Sequence, residues 1–144
     1  MTALSDNAQV KILDSFEATK RLEDLTVLDT DIIYHGSLVG LNTTTGEVAA
    51  ATEAATTRVI GVNVGPKVDN TLDGEVLEAK NVYRGICGPF VNGDSIAAVD
   101  IGQVVYLTDD QTVAQAAGAN SVIVGIIHDV NSDGVWVDLS RHSV

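Results

Sequence analysis

Three features of this chain have side chains able to do chemistry: a run of oxygen donors near its C-terminal end, one thiol, and three histidines. The run is Asp129-Val130-Asn131-Ser132-Asp133-Gly134, which matches the first half of a calcium-binding loop. Calcium takes roughly six to eight oxygens, and such a loop needs a bidentate glutamate at its twelfth position. Ser140 stands there, and the intervening Val135-Trp136-Val137 reads as strand, so the run predicts a hairpin turn. Cys87 lies at an apolar strand end, Arg84-Gly85-Ile86-Cys87-Gly88-Pro89, with no neighbouring base to lower its pKa. It reads as a buried, inert thiol. His35, His128 and His142 are too widely spaced for a metal signature. No nucleophile elbow, phosphate loop or zinc-protease pair occurs. The expectation is a protein without enzymatic chemistry, cofactor or metal.

The elements that would have to position such groups read as strands. Of 144 residues, 45% are hydrophobic but only 4% aromatic, so Ala, Val, Ile and Leu carry the packing. Small and β-branched side chains suit a pleated sheet better than a ring-lined ligand cavity. Short apolar runs separated by Asn/Asp/Gly turns predict strands at 37–41, 47–51, 58–64, 76–79, 82–86, 95–99, 103–108, 113–116, 122–127 and 135–139. The fold class expected is all-β, one β-barrel or jelly-roll-like sandwich over residues 32–144. Trp136 and Tyr106 read as core residues of that sheet region. Gly36-Ser37-Leu38-Val39-Gly40-Leu41, a polar turn and Val59-Ile60-Gly61-Val62 are echoed by Gly102-Gln103-Val104-Val105-Tyr106-Leu107, a turn and Val124-Gly125-Ile126-Ile127. The copies lie about 65 residues apart, a spacing unsuited to a solenoid. Two related hairpin-plus-strand units inside one barrel would account for the echo, as would independent reuse of hairpin grammar.

Residues 1–31 differ in character. Residues 14–25 could form a short helix capped by Asp14 or Ser15, with a thin apolar set of Phe16, Leu22 and Leu25. Lys11, Lys20 and Arg21 supply three of the chain's eight basic residues. This pattern predicts an N-terminal arm, extended or partly helical, that orders against a partner. Its interface candidates are Lys11, Phe16, Lys20, Arg21, Leu22, Leu25 and, just beyond it, Tyr34.

With 20 acidic against 8 basic residues, the net charge of −12 opposes nucleic-acid binding and docking on an anionic membrane. It favours basic protein surfaces as partners. No secretory leader or membrane-spanning apolar run is visible, so synthesis in a cytoplasm is expected.

The stretch from Asp94 to Thr108, with Ile101-Gly102 and Val104-Val105-Tyr106-Leu107, resembles a pattern in the capsid decoration (cement) proteins of tailed phages. Asn120-Ser121-Val122-Ile123-Val124-Gly125-Ile126-Ile127 and the Val-rich strand after Gly134 continue the likeness, which spans residues 36–139. The resemblance implies a structural virion protein on the outside of an icosahedral head. It further implies the major capsid protein as partner, and a homo-oligomer, dimer or trimer. A glycan- or ligand-binding β-barrel of a phage tail or surface structure is the other reading, which the shortage of aromatics disfavours.

Overall fold

The computed structural model describes residues 3–14, 20–28, 30–71 and 77–143. These residues form an all-β structure built around a closed five-stranded barrel and a half-barrel sheet. The barrel comprises β11 (Ile86–Asn92), β12 (Val104–Leu107), β13 (Thr112–Ala114), β14 (Ile123–Asn131) and β15 (Gly134–Asp138). Its strands run β11-β13-β12-β14-β15, and β15 pairs back onto β11 to close the ring. Every pairing is antiparallel except β11 with β13. Closure leaves no free edge within the ring.

The half-barrel sheet has β2 (Arg21–Leu22), β10 (Val82–Tyr83), β7 (Thr57–Asn63), β5 (Leu38–Asn42) and β6 (Val48–Ala50), in that order. Two small ladders extend it. In one, β3 (Leu25–Thr26) pairs with β9 (Glu78–Ala79); in the other, β4 (Ile32–Ile33) pairs with β8 (Val68–Asp69). The remaining strand, β1 (Lys11–Ile12), lies antiparallel on β11 of the barrel.

The sequence echo corresponds to repeated structure. β5 pairs with β6 and β7 as β12 pairs with β13 and β14. Each long ladder carries a bulge at the same place, after Val39↔Gly61 in one and Val105↔Gly125 in the other. Gly36 and Gly102, both at positive φ, open the two units. The Gly36 N–H donates to Asn63 O and the Gly102 N–H to Ile127 O. The likeness extends beyond the hairpins. Val27 makes a parallel bridge to Val48, as β11 runs parallel to β13 through Asn92↔Val113. β9 and β10, in series, flank β3 and β7 as β15 flanks β11 and β14. Gly61 and Gly125 are required by this crowding. A Cβ on Gly61 would sit 2.6 Å from Tyr83 O, and one on Gly125 would sit 2.3 Å from Asp138 O.

Two apolar cores follow from the alternation of side chains across the strands. Val39, Ile60, Val82, Val27 and Ile33 enclose one within the half-barrel. On the opposite face of the same strands, Leu38, Val59, Val62 and Tyr83 join the larger barrel core of Phe90, Val105, Val113, Ile127 and Val137. The β5–β7–β10 wall is therefore buried on both faces.

Asp110, 2% exposed, ties this wall to the barrel. Its carbonyl accepts the Leu38 N–H at 2.7 Å, and its Oδ1 accepts the Leu4 N–H at 2.8 Å. The Ser37 hydroxyl lies 3.0 Å from both Asp110 Oδ2 and the Leu38 carbonyl, but has one proton to give. Burial pushes the Asp110 carboxyl above the usual carboxylate range, despite the Leu4 and Ser37 donors.

Three sequence expectations need correction. In the 14–25 stretch, Arg21–Leu22 and Leu25–Thr26 are strands, not helix, and residues 15–19 lie outside the described residues. The described part of the N-terminal segment does not stand apart as an arm; β1, β2 and β3 are laid into the chain's own sheets. Its thin apolar set serves those ladders, with Leu22 and Leu25 packed on the half-barrel core. The predicted strand at 95–99 is also absent. Ser95 takes φ +63°, and a 3-10 turn occupies Ala98–Asp100.

Candidate docking surface

The loop that replaces the expected strand, between β11 and β12, carries the most exposed large apolar side chain among the described residues. Val99 is 89% exposed and Ile101 44% exposed, with Ala97 and Ala98 open to solvent beside them. The loop is strongly braced. Ile96 is buried in the barrel core, and the Asn92 side chain clamps its backbone from both sides. Asn92 Oδ1 accepts the Ile96 N–H at 2.9 Å, and Asn92 Nδ2 donates to Ile96 O at 2.8 Å. Asp100 Oδ2 accepts the Ala97 N–H, and its Oδ1 accepts Gln115 Nε2. Asp94 accepts the Gln115 and Ala116 N–H groups, fastening the loop to the end of β13. Apolar side chains held out on so fixed a frame lose little freedom when covered.

The internal repeat explains why these residues are bare. The Gln103 N–H donates to Asp100 O as the Ser37 N–H donates to Tyr34 O, which makes Val99 the counterpart of Ile33. Ile33 is fully buried, because β4 is covered by β8 from the long connection between β7 and β9. The corresponding connection, between β14 and β15, is a tight turn closed by Asn131↔Gly134. It has no strand to offer. The segment that builds the barrel is also one-signed in its own sequence: from Gly85 to Ser140 the chain contains no Lys, Arg or Glu, and its aspartates run from Asp94 to Asp138.

The interface candidates named from sequence are scattered. Lys11 is exposed on β1. Lys20 makes a 2.7 Å ion pair with Asp14, and Arg21 pairs with Glu23. Leu22 and Leu25 are half-buried against the half-barrel core, while Tyr34 packs under Lys67 with the ammonium 5.9 Å from its ring centre. Phe16 lies outside the described residues. Val99 and Ile101 were readable from sequence only by aligning the two repeats and noticing that the β8 counterpart is missing.

The candidate chemical groups also take their places. Asp129–Gly134 includes the hairpin turn, with the Asp133 N–H held by Asn131 Oδ1 at 2.9 Å. Cys87 is fully buried, and desolvation, reinforced by Asp14 and Asp138, pushes its thiol up to about 12. Trp136 is buried in the barrel wall and Tyr106 half-buried. Among the described residues, no group of three or more His, Cys, Asp or Glu side chains is placed to hold a metal ion. No described helix is long and apolar enough to cross a membrane. No family model, curated protein or solved structure matches the chain.

Proposed function

We propose that this chain is a structural virion protein that binds the outer surface of an icosahedral phage head and cements neighbouring capsomers. The observation that carries the reading is the braced apolar loop at Val99 and Ile101, set in a segment whose fixed charges from Gly85 to Ser140 are all aspartates. Its complement is an apolar hollow rimmed by Lys or Arg on the major capsid protein. Fully burying a valine or isoleucine side chain contributes about 1.5–3 kcal/mol. One loop is therefore a modest contact, and a homo-oligomer presenting several would hold by avidity. The resemblance of residues 36–139 to decoration proteins supports the same role. The N-terminal segment enters this proposal as a brace of the barrel, through β1 and the Leu4–Asp110 contact.

The test is co-sedimentation of the purified protein with expanded, undecorated heads, for the parent and for a Val99→Asp/Ile101→Asp double variant. The parent is expected to bind and the variant to lose at least about tenfold in affinity. Both positions face solvent, so stability should change by no more than about 0.5 kcal/mol. Equal binding by both proteins removes the loop from the interface, and no binding by the parent overturns the function.

A further inference from the structure

At the seam between the two repeat units, a cleft of about 480 Å³ opens between Thr43, Thr57 and Arg58 on one side and Asn120–Ile123 on the other, with His142 at its edge. Cations gather here in a chain that is otherwise strongly acidic. Arg58 and Arg84 both act electrostatically on His142, and Arg141 adjoins it in sequence. Among the described residues neither Arg58 nor Arg84 forms an ion pair.

The nearby acids are occupied. Glu53 uses both carboxylate oxygens on Asn120, at 2.7 Å to its N–H and 2.8 Å to Nδ2. Asp138, the acid acting on His142, accepts from the Ser140 hydroxyl and N–H. Two polar atoms remain buried without partners: Arg84 Nε and His142 Nε2. Burial, with Arg84 and Arg58, holds the His142 pKa below its ordinary value against the opposing Val59 hydrogen bond and Asp138, leaving the ring neutral at pH 7. The cleft thus offers the Arg58 guanidinium, which forms no ion pair among the described residues, a neutral imidazole, hydroxyl and amide groups, and apolar walls from Val122 and Ile123. Sites of this kind favour the seams between structural units.

We propose that this cleft binds a carboxylate carried by a protein partner, with Arg58, the arginine that lines it, as the anchor. A carboxylate suits the site better than a phosphate dianion. It matches the planar fork of one guanidinium, and the other basic side chain lining the cleft, His142, is uncharged at neutral pH. The cleft is lined by residues other than those of the 95–102 loop, so the proposal stands independently of the capsid reading.

The experiment is calorimetric titration of the full chain at low salt, with the His142 imidazole resonances followed in parallel. The probes are a capped tripeptide bearing one glutamate, its glutamine twin, a tripeptide whose only acid is a free chain terminus, and inorganic phosphate. A carboxylate peptide should bind, move the His142 signals and raise the His142 pKa. Arg58→Gln should weaken it by about tenfold or more. Arg58 is exposed, so that variant keeps the parent's thermal midpoint. A stronger response to the glutamate peptide assigns a side-chain carboxylate; a stronger response to the free terminus assigns a chain end. Equal binding of the glutamine twin, phosphate binding as tightly as either carboxylate peptide, or an unaffected Arg58→Gln protein would each overturn the proposal.

Discussion

Replacing Asp110 with asparagine should stabilise the protein at neutral pH. The Asp110 carboxylate is buried, and one of its two donors, the Ser37 hydroxyl, has a single proton between two acceptors at 3.0 Å. An asparagine in the same rotamer keeps an oxygen for the Leu4 N–H and turns an N–H toward Ser37 Oγ. Ser37 is then free to donate to the Leu38 carbonyl. The exchange makes one more hydrogen bond and removes a buried charge, so a gain of about 1 kcal/mol is expected at pH 7. Asp110→Ala is the control. It strands the Leu4 and Ser37 groups and should cost about 2–3 kcal/mol.

The pH dependence follows from the raised Asp110 pKa. The folded state holds this proton more tightly than the unfolded chain does. Its stabilising contribution is thus complete below the ordinary aspartate pKa of about 4 and is lost as pH rises through the elevated folded value. The advantage of Asp110→Asn over the parent should therefore shrink as pH falls toward 4. Urea denaturation of the three proteins at pH 7 and pH 4, read by Trp136 fluorescence, measures both effects. An Asp110→Asn protein less stable than the parent at pH 7, or a difference unchanged at pH 4, would refute the reasoning.

Asp14 should behave in the opposite sense. Burial alone would raise its pKa, but hydrogen bonds from Lys20 and Tyr83 and the Lys20 charge outweigh burial and hold it below the usual range. Its contribution is present above the unfolded aspartate pKa and lost as pH falls through the lowered folded value. Asp14→Asn should cost about 1–2 kcal/mol at pH 7 and progressively less in acid, which the same denaturation series would reveal. Gly61→Ala and Gly125→Ala place a methyl group against a neighbouring strand's carbonyl, 2.6 and 2.3 Å away. Each should lower stability by about 2–3 kcal/mol, and thermal melts showing either to be neutral would contradict the strand spacing described.

Much of the sheet was legible because its grammar is local. The meander strands at 38–42, 48–50, 57–63, 104–107, 112–114 and 123–131 lie close to their expected places, punctuated by Asn, Asp and Gly turns. The echo of Val59-Ile60-Gly61-Val62 in Val124-Gly125-Ile126-Ile127, open between paired units and reused hairpin grammar in the sequence, marks a glycine that a neighbouring strand approaches closely and that adjoins a bulge in each unit. β11 was obscured by Gly88-Pro89, a pair that argues against a central strand. The apolar content of residues 95–99 argued for a strand, but the segment has no ladder partner and is instead pinned by Asn92 and Asp100. The candidate surfaces were not legible for a different reason. The loop's exposure depends on the length of a connection some thirty residues downstream. The cleft joins residues from 43, 58, 120 and 142, whose convergence only the closed sheets create.

The wall buried on both faces also governs how the molecule comes apart. Leu38, Val59, Val62 and Tyr83 belong to the barrel core although they sit on half-barrel strands. An excised first unit would expose them to water, and an excised barrel would lose the lid on its interior. The two repeats are therefore not beads on a string. Their unfolding is expected to be a single cooperative event, with the amides of β5 and β7 exchanging only when the whole chain opens.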